Sequence, residues 1–135
     1  MVVREPRVGV GLLVYRDDDV LLVRRHGSHG AGTWSPPGGY LDHGEDPAGC
    51  AAREAREETD IDVAPPRFAG VTNDVFPAEG KHFVTLWFES EHTGGEASIA
   101  APGELTDVRW FPRRQLPSPL FLPFEHFLAG ELLRT

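Results

Sequence analysis

Gly38-Gly39-Tyr40-Leu41-Asp42-His43-Gly44-Glu45 runs into Asp46-Pro47-Ala48-Gly49-Cys50-Ala51-Ala52, and then into Arg53-Glu54-Ala55-Arg56-Glu57-Glu58-Thr59-Asp60-Ile61. The second of these segments has a helix start. Asp46 can accept from a free N–H of the first turn, and Pro47 has the fixed φ that suits the first helical position. Glu54, Glu57 and Glu58 then stand at i, i+3 and i+4. At about 100° per residue they share one arc of the helix. Ala48, Ala51, Ala52, Ala55 and Thr59 fill the neighbouring arc. The spacing predicts a helix that lies close against a sheet.

Three carboxylates on adjacent turns repel one another, at a few tenths of a kcal/mol, roughly, per pair. Arg53 and Arg56 offset part of that. A hard divalent cation would offset far more, because Mg²⁺ and Mn²⁺ prefer oxygen ligands. Taken alone, the same three residues also read as a solvated acidic face.

The whole stretch resembles the Nudix box: Gly, five residues, Glu, seven residues, then Arg-Glu-aliphatic-any-Glu-Glu-any-Gly-aliphatic. Gly39, Glu45, Arg53, Glu54, Glu57, Glu58 and Ile61 fall at that spacing. Ala55 is a small residue at the first aliphatic position, and Asp60 replaces the last Gly. That Gly follows the helix end, where left-handed backbone is common, and Asp tolerates this conformation better than most residues. An intact site at a small stability cost is expected.

At 135 residues the chain has the length of one domain, read here as a single domain over 1–135. A net charge of −8 argues against binding a nucleic-acid polymer, whose partner surface is basic. A small polyphosphate remains acceptable if cations reverse the sign locally. The single Cys50 cannot form an internal disulfide and fits a reducing, cytoplasmic setting. The apolar run Val8 to Tyr15 is too short to span a membrane.

Arg7 to Tyr15 reads as a strand with Val8, Val10, Leu12 and Val14 on one face. Gly9 and Gly11 lie on the other, leaving room for a ligand or a close neighbour, or else for tight packing against the helix. Asp17-Asp18-Asp19 is a hairpin turn and Val20 to Arg24 the return strand. Arg24-Arg25 suit a phosphate clamp, and solvated arginines equally. Gly27 to Gly32 is a loop, either a lid over the site or a plain connection. Trp34 could stack on a base or fill a core edge. Arg67 to Val75 and Lys81 to Ser90 form a strand pair, with Trp87 in the core and His82 structural or exposed. A polar loop follows from Glu91 to Gly103. A strand then runs to Phe111, and a last helix ends near Leu133.

The likeness to the Nudix family extends to its MutT-like branch. It is carried by Gly27 to Glu45, Val71 to Phe76, His82 to Thr85, the Trp110 strand and Leu116 to Phe121. The resemblance implies an α/β fold, an α/β/α sandwich around a mixed β-sheet. It implies hydrolysis of a nucleoside diphosphate linked to another group, in this branch a nucleoside triphosphate giving monophosphate and pyrophosphate. Other members cleave ADP-ribose, nucleotide sugars, dinucleoside polyphosphates or prenyl diphosphates, and a non-catalytic nucleotide-binding module is a further reading. The family's metal, Mg²⁺ or Mn²⁺, would be held by the Gly38 carbonyl and by Glu54, Glu57 and Glu58. Arg53 would orient the glutamates, supported by Glu45. Glu57, Glu58 or Glu104 would act as base. Arg25 would approach the phosphates, and Gly39, Trp34 and Phe121 would contact substrate; Phe121 could equally belong to the core. A homodimer is the implied assembly.

Overall fold

A computed structural model describes residues 4–27 and 29–131. Strand β1 spans Arg7–Arg16 and β2 Asp19–Arg25. The turn between them has Asp17 at φ 54, in the left-handed region where a short polar side chain is tolerated. Two short strands follow, β3 at Trp34–Ser35 and β4 at Gly38–Tyr40. Helix α1 spans Pro47–Thr59. Strands β5 (Asp62–Val63), β6 (Arg67–Phe76), β7 (Lys81–Gly94) and β8 (Leu105–Pro112) lead to helix α2, Leu122–Leu128. Leu133, where the sequence reading ends this helix, lies outside the described residues; the helix stops before Gly130, at φ 75.

The sheet is mixed. β1 pairs parallel with β7, and antiparallel with β2 and β4. β6 pairs with β7 and β8 with β2, both antiparallel. Along one edge β1 pairs first with β4, at Gly9 to Gly11, and then with β2, at Tyr15 and Arg16. Between the two, the Leu12 N–H donates to the Pro37 carbonyl at 2.9 Å. The sheet forks there, and β4 is carried beside the helix.

Period-2 alternation sorts the strand residues to two faces. Val10, Leu12, Val14, Leu21 and Phe88 pack with Cys50, Ala51 and Ala55 of α1. Leu13, Val20, Leu22, Trp34 and Trp87 pack with Phe124 of α2. The result is an α/β/α sandwich with α1 and α2 on opposite faces. Ala51 and Ala55 are fully buried, which lets α1 sit low on the strands.

Both ends of α1 follow from local chemistry. Asp46 accepts from the Gly49 N–H at 2.9 Å, and Pro47 opens the helix. Asp60 adopts the left-handed conformation at φ 58 and donates its N–H to the Arg56 carbonyl. The departure from Gly in the box is thus accommodated without breaking the cap.

Gly9 and Gly11 line a cleft, as room left for a ligand requires, and a Cβ on Gly11 would stand 2.5 Å from the Trp87 ring, a close neighbour. Two features differ from expectation. β7 continues four residues past Ser90, because Tyr15 pairs with Glu91 on one side, and β5 pairs with His92 and Gly94 on the other. Paired backbone on both sides keeps a polar stretch extended where composition alone reads as loop. β3, β4 and β5 have only two or three residues each, too few for a period.

Candidate active site

α1 and β4 build the acidic wall of a cleft. Glu58 is 4% exposed, and its Oε1 accepts from the Gly38 N–H at 2.9 Å. Glu54 lies beside Gly39, and a Cβ there would come within 2.5 Å of the Glu54 carboxyl carbon. Only glycine lets the two approach this closely. Glu57, the third carboxylate of the arc, is turned outward and exposed.

Arg53 ties the arc together. Its Nε and Nη2 donate to the two Glu45 oxygens at 2.6 and 3.0 Å, a two-pronged pair. Its Nη1 donates to Glu54 and Glu57, at 3.1 Å each. One guanidinium therefore compensates Glu45, Glu54 and Glu57, which answers part of the repulsion expected within the Glu54, Glu57 and Glu58 arc. The hydrogen bonds from Arg53 hold the Glu45 carboxyl down at about 2. The same pairing, led by Glu45, raises the Arg53 pKa further.

The buried carboxylates behave in the opposite sense. Burial pushes Glu58 up to about 8, with Glu54 and Glu104 adding to the rise and the Gly38 N–H opposing it. Burial also raises Glu54, with Arg53 opposing. Unmatched negative charge in a low-dielectric site needs either protons or a cation. Among the described residues, no three His, Cys, Asp or Glu side chains converge to hold a metal as they stand, since Glu57 is drawn away toward Arg53. The donor set nonetheless fits a hard divalent cation. It offers the carboxylate oxygens of Glu54 and Glu58, which line the cleft, with Glu57 one turn from Glu54. Cys50 is buried in the core with its Sγ 3.7 Å from Arg53 Nη2, and burial, with Glu45 adding to the rise, raises its thiol to about 12.

Arg25, Gly38, Gly39, Glu54, Glu58, Glu104 and Phe121 line one cleft of about 310 Å³. The Arg25 guanidinium carbon lies 4.0 Å from the Phe121 ring centroid, and its Nε donates to the His29 carbonyl. Gly30, at φ 68, passes over both; a Cβ there would strike Phe121 at 2.8 Å. Glu104 reaches the cleft from the turn before β8, and its carbonyl accepts from the His26 N–H at 2.8 Å.

Trp34 does not line this cleft. It is 7% exposed, edge-on to Phe111 with centroids 5.0 Å apart, and part of the second core cluster. The structure places it at the core edge and not among the residues that line the cleft. Bridging to Leu120 explains why: β3 is pinned between β2 and the segment before α2. His29, Tyr40, Phe83 and Thr85 join the lining without having been singled out as contacts. The alternation of β7 already placed Phe83 and Thr85 on one face. His29 comes from an irregular loop and left no such signal.

The NUDIX domain family model matches residues 5–130. An NAD-capped RNA hydrolase NudC of Stutzerimonas stutzeri is 36% identical over 122 residues, covering 90% of this chain and 41% of that protein. A NudC of Pseudomonas aeruginosa PAO1 is 34% identical over the same shares. The chain thus spans about two fifths of the length of these relatives. The crystal structure of a MutT NUDIX hydrolase from Burkholderia pseudomallei superposes with a TM-score of 0.88 at 30% identity, covering 93% of this chain and 98% of that one. The NUDIX domain of Shewanella oneidensis NrtR, solved with ADP ribose, shares the fold at a TM-score of 0.71 and 21% identity, covering 96% and 88%. The family match takes in the glycine pair, the arginine-bound carboxylates and both layers of helix, and the chain belongs to the NUDIX family of hydrolases.

Proposed function

We propose that this chain hydrolyses the diphosphate linkage of a nucleotide, and that its substrate is a nucleoside triphosphate cleaved to monophosphate and pyrophosphate. The observation that carries this reading is the grouping of Glu54, Glu58 and Glu104 with Arg25 and aromatic rings in one cleft. A volume of about 310 Å³ stands at the small end of ligand pockets and suits a mononucleotide.

Glu54, Glu57 and Glu58, with the Gly38 carbonyl, are the residues that would hold Mg²⁺ or Mn²⁺. When bound, the cation neutralises phosphate charge and acidifies water. Arg53 keeps Glu54 and Glu57 aimed, and Glu45 keeps Arg53 aimed. Arg25, held against Phe121, faces the phosphates with a delocalised charge. With the α1 carboxylates reserved for the cation, Glu104 would take the proton of the attacking water as the new P–O bond forms and the bridging P–O bond of the diphosphate breaks.

A second reading has its own support. The relatives named NAD-capped RNA hydrolase argue for a dinucleotide-type pyrophosphate as substrate. The net charge of −8 favours a small molecule over a polymer in either case. Cys50, buried and unpaired, supports a reducing cytoplasm, and a homodimer is proposed on the family likeness alone. No helix among the described residues is long and apolar enough to cross a membrane.

Product analysis with Mg²⁺ on nucleoside triphosphates, NAD, ADP-ribose, nucleotide sugars and a prenyl diphosphate tests the proposal. Monophosphate plus pyrophosphate from a triphosphate, lost in Glu58→Gln, is the expected result. Faster cleavage of NAD would replace the substrate, and no turnover of any compound would leave a binding module.

A further inference from the structure

Two buried side-chain polar atoms lack a hydrogen-bond partner among the described residues: His29 Nε2 and Asp74 Oδ2. Asp74 engages His126 through its other oxygen and does not line the cleft. His29 does line it. Its side chain is 10% exposed, and its ring packs against Phe76, Phe83 and Phe121, with centroids 4.7, 5.0 and 5.4 Å away. A polar nitrogen left bare among phenyl rings is costly when nothing pairs with it.

The ring is held in place from several sides. Glu79 approaches Nδ1 at 2.5 Å from the turn between β6 and β7. Arg25 Nε donates to the His29 carbonyl, and the Thr33 hydroxyl donates to the Gly30 carbonyl at 2.6 Å. An ionised carboxylate can only accept, so Nδ1 carries the hydrogen. In the neutral ring Nε2 then keeps its lone pair and is an acceptor. His29 lines the cleft and Glu79 does not, so Nε2, buried and without a partner, is the ring nitrogen still open to pairing with a bound group.

We propose that His29 reads the nucleobase, its Nε2 accepting from an N–H on the edge of a base seated against Phe121. This rests on the reading that the substrate is a nucleotide. The site selects bases by an exocyclic amine or ring N–H, and Glu79 acts through His29 as a positioning residue by fixing its tautomer. Phosphate binding, by contrast, does not involve His29.

The test compares kcat/KM for ATP, GTP, CTP and UTP, and for purine riboside triphosphate, which lacks the exocyclic amine. Wild type, His29→Phe, His29→Gln and Glu79→Gln are run side by side. Phe keeps the packing and removes the nitrogen; Gln restores a polar atom at similar reach. Expected is a wild-type preference for ATP over purine riboside triphosphate of about tenfold or more. In His29→Phe that preference falls to within about twofold, the loss appearing in KM, and His29→Gln recovers part of it. The ¹⁵N resonance of His29 Nε2 should also shift with AMP, and not with ribose 5-phosphate. A base preference unchanged in His29→Phe, together with a silent Nε2 resonance, overturns the role of His29 and leaves nucleotide hydrolysis standing. Turnover confined to compounds with no base overturns both.

Discussion

Arg53 and Glu45 meet in a two-pronged pair, Nε to Oε2 at 2.6 Å and Nη2 to Oε1 at 3.0 Å, and only the third nitrogen of the guanidinium is left for Glu54 and Glu57. The geometry needs a planar fork, which lysine does not have. Arg53→Lys keeps the charge and loses the aim. Partners that orient ligands typically contribute 10–100-fold, so turnover should fall by roughly that factor in Arg53→Lys and in Glu45→Gln. Steady-state kinetics beside a thermal melt would separate the two effects; a large fall in Tm with normal turnover would contradict it.

The same pair sets an acid limit. Glu45 is depressed from 4.5 to about 2 in the folded chain. Its stabilising contribution is therefore present above the ordinary carboxylate range, and is lost as pH falls from about 4.5 toward 2. Glu45→Gln should flatten acid unfolding in that window, read by circular dichroism against pH.

Glu58 predicts a slope of opposite sign. Burial raises it from 4.5 to about 8, so the folded chain binds the proton more tightly than the unfolded chain between those values. Stability of the metal-free protein should then fall as pH rises from about 4.5 to 8. Glu58→Gln should remove that fall. Adding Mg²⁺ or Mn²⁺ should restore stability most at the alkaline end, with proton release measurable by calorimetry in buffers of different ionisation enthalpy. Equal stability at pH 5 and pH 8 in the metal-free protein would refute the burial argument.

Two of the glycines that line this site, Gly39 and Gly11, differ in what they protect. Gly39→Ala would drive a Cβ to 2.5 Å from the Glu54 carboxyl carbon, whereas Gly11→Ala would meet the Trp87 ring at the same distance. The first should lower metal affinity and turnover with a small change in Tm. The second should cost stability, about 1–3 kcal/mol as overpacking does, at near-normal affinity for metal. Denaturant unfolding and metal titration of both variants would check the contrast. Similar effects on both readouts would mean that the cleft and the core are one packing unit.

What could be read from the chain follows from how each signal is encoded. The α1 cap, the carboxylate arc and the left-handed Asp60 are written within a few neighbouring residues, and the structure has them at those positions. The Arg53 to Glu45 pair spans eight residues and was legible through the family spacing. Trp34 was ambiguous because an aromatic after a glycine loop serves a ligand or a core equally well; only pairing with Leu120, far along the chain, decides it. His29 was invisible for the same reason. Its partners Phe76, Glu79, Phe83 and Phe121 come from distant segments, and an irregular loop has no period to announce them.

Glu104 supplies the sharpest test of the chemistry. It lines the cleft with Glu54 and Glu58 but belongs to a different element, so it can be altered without dismantling the α1 ligand set. Its carbonyl, not its carboxylate, makes the link to His26, so Glu104→Gln should leave that backbone contact in place. If its carboxylate accepts the proton of the attacking water, Glu104→Gln should lower kcat by roughly 10²–10⁴-fold. Mg²⁺ affinity should stay within about twofold, since Glu104 stands outside the α1 ligand set. Turnover within twofold of wild type would remove Glu104 from the reaction and hand the proton to Glu57 or Glu58 on α1.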